Sequence, residues 1–172
     1  MYSEGVHPAR IDEEELFSQC RMTRGYSTGP GGQHRNKVAS LVRLVHSPTG
    51  CEAQAGERRE PEMNRKTAIR RLRLVLAVEV RTVVPRGDQR SELWRQRCGA
   101  DGRIVCSDTH RDFPSMLSEA LDMIEACDLD EKKASLRLAC SMSQLVRFVK
   151  KHRAAFTWWN RQRVAADLHT LK

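Results

Sequence analysis

The sequence is poor in aromatic residues and has no long apolar run, and both shortages limit what the protein can be. Aromatic side chains make up 5% of the 172 residues, so aliphatic side chains must fill most of the core. No apolar run approaches the length of a membrane-spanning helix. The acidic sequence MYSEGVHPARIDEEELF has neither the apolar centre of a secretory signal nor the arginine-rich character of a transit peptide. We therefore expect a cytoplasmic protein with no membrane partner.

Motifs for metals and common cofactors are also missing. The six cysteines form no C-x-x-C pair, which favours reduced thiols over a disulfide framework. A zinc site built from Cys98, Cys106 and His110 would match no standard two-pair spacing, and the sequence GADGR between the cysteines is sufficient as a turn. There is no G-x-G-x-x-G and no G-x-x-x-x-G-K-[ST]. We predict no metal and no cofactor.

Charged residues, by contrast, are plentiful and unevenly placed. The formal net charge is +8, with 30% charged and 40% hydrophobic residues, a globular composition. Residues 58–86 contain nine Lys or Arg against three Glu, and residues 147–172 contain seven against one Asp. Two separate basic clusters favour an anionic partner, most commonly nucleic acid. A merely soluble basic surface is the alternative.

Sequence patterns predict a small sheet, one basic helix and further helices. Residues 20–24 and 41–45 indicate strands, and a Pro-x-Gly break at 47–50 followed by extended residues 51–55 indicates a hairpin. A helix from Pro61 places four apolar residues on one stripe, and a second helix does the same. The two stripes are Ile69, Leu72, Leu76 and Val80, and Phe113, Leu117, Leu121 and Ile124. Residues 128–164 indicate two or three more helices, with Asp128 or Asp130 and Ser141 or Ser143 as N-caps.

The sequence YSTGPGGQHRNK, residues 26–37, has an unusually bare backbone. Glycine pairs commonly supply only the positive φ of a turn. Gly31 and Gly32 would also let the main chain approach a large partner closely, and Gln33 would add a backbone donor and a neutral amide. Such donors stabilise an oxyanion or orient a water without ionising. This chemistry suits an ester carried by a partner that supplies most of the site.

Residues 18–80 resemble the GGQ domain of class I peptide chain release factors. In that family an S-G-x-G-G-Q-x-x-N-K/T loop precedes a V-R-L/I-x-H strand and an x-P-T-G turn. The matching residues are Ser27, Gly29, Gly31, Gly32, Gln33, Asn36, Lys37, Val42, Arg43, Leu44, His46, Pro48, Thr49 and Gly50. The family's R-S-Q-x-x-N-R sequence is here REPEMNR at residues 59–65, which keeps Arg59, Asn64 and Arg65 but loses Ser-Gln.

The resemblance implies hydrolysis of the ester in peptidyl-tRNA, inside the peptidyl-transferase centre of the large ribosomal subunit. It assigns oxyanion stabilisation and water selection to Gln33, with Gly31 and Gly32 as the residues that free its backbone. It also implies a methyltransferase partner that methylates the Gln33 amide. We interpret His34 as an RNA-facing residue rather than a general base.

Two groups of residues are expected to contact ribosomal RNA: those around the motif and basic helix, and those near the C-terminus, where cations interleave with aromatic rings. For the aromatic rings themselves, packing in the core and contact with RNA are both open alternatives. The predicted contacts are His34, Arg35, Asn36, Lys37, Arg59, Asn64, Arg65, Lys66, Arg70, Arg73, Arg147, Lys150, Lys151, Arg161 and Arg163.

These patterns predict an α+β fold: a small mixed or antiparallel sheet with a basic helix carrying a flexible GGQ loop, then a mainly helical C-terminal module. We expect a catalytic domain at residues 1–86, an accessory domain at 87–172, and a monomer. Too few residues precede the motif to build a codon-reading domain, and no P-x-T or S-P-F tripeptide occurs. Codon-independent rescue of stalled ribosomes is therefore expected. The alternatives are a ribosome- or RNA-binding protein without hydrolysis and a hydrolase of free peptidyl-tRNA.

Overall fold

The computed structural model describes residues 2–3, 5–26 and 39–172. These residues form an α+β fold, as the sequence predicts. The elements in chain order are β1 (Tyr2–Ser3), α1 (Glu13–Ser18), β2 (Cys20–Gly25), β3 (Leu41–His46), β4 (Glu52–Ala55), α2 (Pro61–Glu79), β5 (Arg81–Thr82), α3 (Glu92–Arg97), α4 (Phe113–Ala126), α5 (Glu131–Arg137), α6 (Met142–Lys150) and α7 (Arg153–Ala165).

The three-stranded sheet is antiparallel, in the order β2-β3-β4. Its strands lie where the alternating pattern predicts them, and Val42, Leu44 and His46 form the buried face of β3. The β3–β4 hairpin turns at residues 47–50, where Gly50 has φ +73° and open space around its Cα. The predicted strands and hairpin are confirmed.

Helix α2 packs against the buried face of this sheet. It begins at Pro61, where a missing backbone N–H costs no hydrogen bond. Ile69, Leu72 and Leu76 are buried on the predicted stripe. The helix ends at Glu79 because Val80 is already extended, and β5 then pairs in parallel with β1.

Helix α4 lies at the centre of the second half and packs against α2, α5 and α6. All four residues of its predicted stripe are buried. Asp130 caps α5 by accepting a hydrogen bond from the Lys133 amide, and Ser141 caps α6 in the same way from Gln144. The C-terminal region therefore contains three helices, the upper number that the sequence predicts.

A buried ion pair links the end of α2 to α4. The guanidinium of Arg81 donates to Asp122 at 3.2 Å, while the amide and hydroxyl of Thr82 donate to the same carboxylate. Burial lowers the pKa of Arg81 and raises the pKa of Asp122, although the pair's own attraction opposes both shifts. The ring of Trp158 lies 4.6 Å from the Arg81 guanidinium, so α7 joins the same contact.

Two short helices were not predicted. The acidic residues before β2 give no helical pattern, but Asp12 caps helix α1 there by accepting from the Glu14 amide, and Leu16 is buried. Helix α3 is capped by Ser91 and buries Trp94. Each has six residues and one buried side chain, too few for a periodic pattern.

The predicted boundary lies at a bend, where Gly87 has φ +93°. The division into domains at residues 86 and 87 stays a prediction. Among the described residues, no helix combines the length and the apolar character that crossing a bilayer requires.

Candidate functional site

The motif residues themselves lie outside the described residues. This applies to the predicted catalytic residues Gly31, Gly32 and Gln33 and to the predicted RNA contacts at residues 34–37. In the chain, residues 27–38 follow β2 and precede β3, two strands of the sheet against which α2 packs.

Residues 27–38, the motif stretch, are flanked by residues that pair at one end of strands β2 and β3. Gly25, the last residue of β2, pairs directly with Leu41, the first residue of β3. The Leu41 side chain fits against two glycines: a Cβ on Gly25 would lie 3.5 Å from it, and a Cβ on Gly56 only 2.9 Å. A Cβ at Gly56 would therefore force the Cδ1 methyl group of Leu41 to shift.

Asn64 lies in the first turns of α2 and is completely buried. Its Nδ2 donates to the carbonyl of Ser40 at 2.7 Å and to that of Arg58 at 2.8 Å. Its Oδ1 accepts from the Arg58 amide at 2.9 Å. Asn64 therefore contacts the protein's own backbone, in place of the RNA contact predicted for it.

Three of the predicted cations of α2 make hydrogen bonds within the protein. Arg65 donates to Glu62 at 2.8 Å and lies 4.8 Å from the ring of Phe17. Arg70 donates to the carbonyl of Asp108. Arg73 donates to the carbonyls of Ala9 and Ile11, and burial lowers its pKa. Arg59 and Lys66 are exposed.

Most of the predicted cations of α6 and α7, by contrast, are exposed. Arg147, Lys150 and Arg161 are exposed. Lys150 lies 5.2 Å from the ring of Phe156, and Lys151 is exposed but donates to the carbonyl of Cys106 at 2.6 Å. These residues lie on helices that are anchored by buried rings, which gives them defined positions.

Arg163 differs from the other predicted contacts on these helices because it is 8% exposed. Its guanidinium donates to Glu131 at 2.6 Å and to the carbonyls of Leu129 and His169 at 2.7 Å. Its hydrogen bonds hold α7 to α5 and to the C-terminal residues. Arg163 therefore does not belong with the exposed cations Arg147, Lys150 and Arg161.

The aromatic rings near the C-terminus mostly pack inside. Phe148 and Trp159 are completely or almost completely buried, and Trp159 donates to the carbonyl of Leu129. Trp158 is half-buried against Arg81, and Phe156 is half-buried beneath Lys150. The rings therefore support the helices that present the cations.

Neither His46 nor a metal cluster provides an alternative catalytic group among the described residues. His46 is buried, and its ring nitrogens contact Thr49 at 2.7 Å and Gln19 at 2.9 Å. Burial lowers the pKa of His46, and the ring connects the β3–β4 turn to Gln19, which lies between α1 and β2. No three His, Cys, Asp or Glu side chains in the described part of the chain cluster closely enough to hold a metal ion.

The sequence GYSTG, residues 25–29, fits the G-x-S-x-G pattern of a hydrolase nucleophile elbow. Such an elbow joins a strand to a helix at the top of an α/β-hydrolase sheet. Here the pattern begins at the last residue of β2, and the next described element is the antiparallel strand β3. The described flanks therefore lack the context that the elbow chemistry requires.

Exposed cations also occur on the sheet, outside the two basic clusters at residues 58–86 and 147–172. Arg21 and Arg24 of β2 are exposed, and Arg24 immediately precedes Gly25. Arg43 of β3 forms a 2.5 Å ion pair with Glu52. The alternation of β2 and β3 could have identified Arg21 and Arg43 as outward-facing. It could not have identified Arg24, which pairs with the buried Val42 and is exposed next to the last residue of β2.

Comparison with known proteins agrees with this arrangement. The RF-1 domain matches residues 8–103, which contain the sheet, α2 and the motif stretch. The peptide chain release factor 1 of Lactococcus lactis is 42% identical over 62 residues, which cover 36% of this chain and 16% of that protein. Release factor 1 of Streptococcus pyogenes and that of Streptococcus agalactiae are each 39% identical over 67 residues, 39% of this chain and 18% of theirs.

The match to the RF-1 domain covers more than half of the chain. The chain therefore belongs to the class I release-factor GGQ-domain family. It spans less than a fifth of the length of the curated relatives that it matches.

Proposed function

We propose that the protein hydrolyses the ester of peptidyl-tRNA within the ribosome and releases the nascent peptide. The observation that carries the proposal is the sequence Gly31-Gly32-Gln33 inside the matched residues 8–103, between two strands paired at Gly25 and Leu41. Because Gly25 pairs with Leu41, the chain enters and leaves the motif stretch from neighbouring positions at one end of β2 and β3. A bare backbone at that end suits entry into an active centre that a larger partner provides.

The chemistry assigned to Gln33 is electrostatic. Its backbone N–H stabilises the developing oxyanion, and its side-chain amide admits water to the ester while disfavouring larger nucleophiles. Neither step requires a metal or a titrating side chain. The same family likeness makes Gln33 a proposed target for amide methylation, which would add one methyl group to the peptide that contains it.

We further propose that the reaction is codon-independent and serves stalled ribosomes. Support comes from the residues beyond the family match, where α6 and α7 carry Arg147, Lys150 and Arg161 on their surface. Their charges suit the phosphates of ribosomal RNA, a contact that does not depend on which codon is present. Arg59, Lys66 and Lys151 extend the proposed contact set.

The test uses ribosomes stalled without a stop codon and carrying labelled peptidyl-tRNA. Wild type should release the peptide. Gln33→Pro, which removes the backbone N–H, should bind but release about 10²–10³-fold more slowly, as for a lost oxyanion donor. Gln33→Ala, which loses the side-chain amide, and Gly32→Val, which restricts the backbone, should release at least about tenfold more slowly. Gln54→Ala, a change at an exposed glutamine of β4, is the matched control and should release normally.

Other results would assign a different function. Equal release by Gln33→Pro and wild type would contradict the oxyanion role of the backbone, and equal release by Gln33→Ala would contradict the role of the side-chain amide. Binding by wild type without any release would indicate a ribosome-binding protein without hydrolytic activity. Release in the absence of ribosomes would identify a hydrolase of free peptidyl-tRNA.

A further inference from the structure

Asn64 uses its whole amide group at one point of the fold. Both Nδ2 hydrogens are donated, to Ser40 at 2.7 Å and to Arg58 at 2.8 Å, and Oδ1 accepts from Arg58 at 2.9 Å. The side chain is 0% exposed and Ser40 is 7% exposed, so water does not compete for these bonds. A buried amide with every donor satisfied holds its partners in one geometry.

Ser40 has a special place in the chain. It lies immediately before Leu41, where β3 begins, and it closely follows the motif stretch. Pairing of Gly25 with Leu41 fixes the sheet end of this stretch. The hydrogen bond from Asn64 adds a second attachment, because it ties the Ser40 carbonyl to the first turns of α2.

The second partner of Asn64 makes this attachment rigid. Arg58 precedes α2, and both its amide and its carbonyl bond to the same side chain. The first turn of the helix has no other side-chain cap, since Glu60 at the N-cap position makes none. Asn64 therefore joins three segments: the residues just before β3, the β4–α2 connection and α2 itself.

We propose that Asn64 is a positioning residue that sets where the chain leaves residues 27–38 and thereby where Gln33 is presented. The inference rests on the proposed function for its effect on release. The attachment itself is independent of that function. A displacement of about 1 Å at a reacting group can slow a reaction by about 10²-fold, so a small loosening at Ser40 is sufficient for a large effect.

The experiment compares Asn64→Asp with Asn160→Asp. Asn64→Asp keeps the acceptor for the Arg58 amide but places a carboxylate oxygen against the two carbonyls. Asn160 bridges the backbone of Leu171 in a similar way, accepting from its amide at 2.7 Å and donating to its carbonyl at 3.3 Å, but it holds the C-terminal residues. It therefore controls for the loss of an amide that bridges backbone groups.

Three quantities are measured: release rate at saturating factor, affinity for stalled ribosomes, and hydrogen exchange of the amides at residues 39–42. Asn64→Asp should release about 10–100-fold more slowly, with ribosome affinity within about twofold of wild type and faster exchange at 39–42. Asn160→Asp should match wild type in all three. Should Asn64→Asp fail to fold, Asn64→Ser carries the same comparison without a buried charge.

Unchanged release by Asn64→Asp, or equal losses of release and affinity, would overturn the positioning role. An equal slowing by Asn160→Asp would also overturn it. If wild type itself released no peptide, the proposed function would fail. Hydrogen exchange at residues 39–42 alone would then test whether Asn64 fixes Ser40 to α2. Faster exchange at 39–42 only in the Asn64 variant would support this attachment, and unchanged exchange would overturn it.

Discussion

Most of the predicted cations on α2 have a different role from most of those on α6 and α7, although the sequence presents both sets as basic helices. On α2, Arg65, Arg70 and Arg73 donate to a carboxylate or to backbone carbonyls of other segments. On the C-terminal helices, Arg147 and Arg161 are exposed. The first set joins parts of the protein, and the second is available to a partner.

This difference shows why net charge alone does not locate a binding surface. A guanidinium that donates to buried carbonyls contributes fixed hydrogen bonds to stability. An exposed guanidinium contributes little to stability but can neutralise a phosphate. The net charge of +8 includes cations of both kinds, so variants that separate stability from ribosome affinity can test the distinction.

The largest expected loss of stability is for Arg163→Met, which removes a buried cation from α7. Glu131 and the carbonyls of Leu129 and His169 would lose their shared donor. Breaking such a pair typically costs about 3–5 kcal/mol, and the part-exposed Glu131 places the expected loss near the lower value. Denaturant unfolding of the variant measures it.

Arg161→Met is the control for this change, because it removes an exposed cation from the same helix. We expect its free energy of unfolding to lie within about 0.5 kcal/mol of wild type. If Arg163→Met kept full stability but bound ribosomes less tightly, Arg163 would belong to the partner surface and the comparison between helices would be wrong.

The next effect concerns affinity: Arg147→Ala, Lys150→Ala and Arg161→Ala are combined in one variant. We expect ribosome affinity to fall about tenfold or more and the slope of log affinity against log salt to decrease by about 2, because each phosphate contact contributes roughly 0.7–0.9 to the slope. Binding titrations at several salt concentrations measure both quantities.

A second triple variant has the same change in charge elsewhere. Arg103→Ala, Lys132→Ala and Lys133→Ala remove three exposed cations outside α6 and α7. This variant should retain most of the affinity and nearly the full salt slope. Equal weakening by the two triple variants would mean that general charge, rather than these helices, attracts the ribosome.

Features that depend on local periodicity could be predicted from the sequence. Strands β2, β3 and β4 follow from alternation and from the Pro48-Thr49-Gly50 turn. The buried stripes of α2 and α4 follow from helical spacing, because a single core lies on one side of each helix. The family could also be predicted, since the motif and the residues after it occur in fixed register.

The role of an individual cation or amide could not be predicted in the same way. Asn64 and Lys66 are two residues apart in one basic stretch, yet one is completely buried and the other exposed. Their difference depends on where the Ser40 carbonyl lies, 24 residues earlier in the chain. Pairings at that separation leave no periodic signal, and neither does the Arg163–Glu131 pair.

The smallest expected effect is on the pH dependence of stability, and it differs between a buried histidine of the first half, His7, and a half-buried one of the second, His152. His7 is 0% exposed; its Nδ1 accepts from the Ala9 amide at 3.0 Å, so Nε2 carries the hydrogen that it donates to Val80 at 3.0 Å. This neutral ring has a pKa lowered from 6.5 to about 4, chiefly by burial and further by Arg81 and Arg10. His152 caps α7, is half-buried, and has a pKa lowered by burial alone.

A histidine whose pKa is lower in the folded state stabilises the fold above its unfolded pKa, and this contribution is lost as the pH falls. The unfolded chain takes up a proton below about pH 6.5, whereas folded His7 stays neutral until about pH 4. From about pH 7 to about pH 5.5, wild type should therefore lose about 1 kcal/mol more stability than His7→Gln. Unfolding by denaturant at both pH values measures this difference, and His152→Gln should change the slope less because its ring is partly solvated. Parallel pH profiles for wild type and His7→Gln would show that His7 does not titrate differently in the folded and unfolded states.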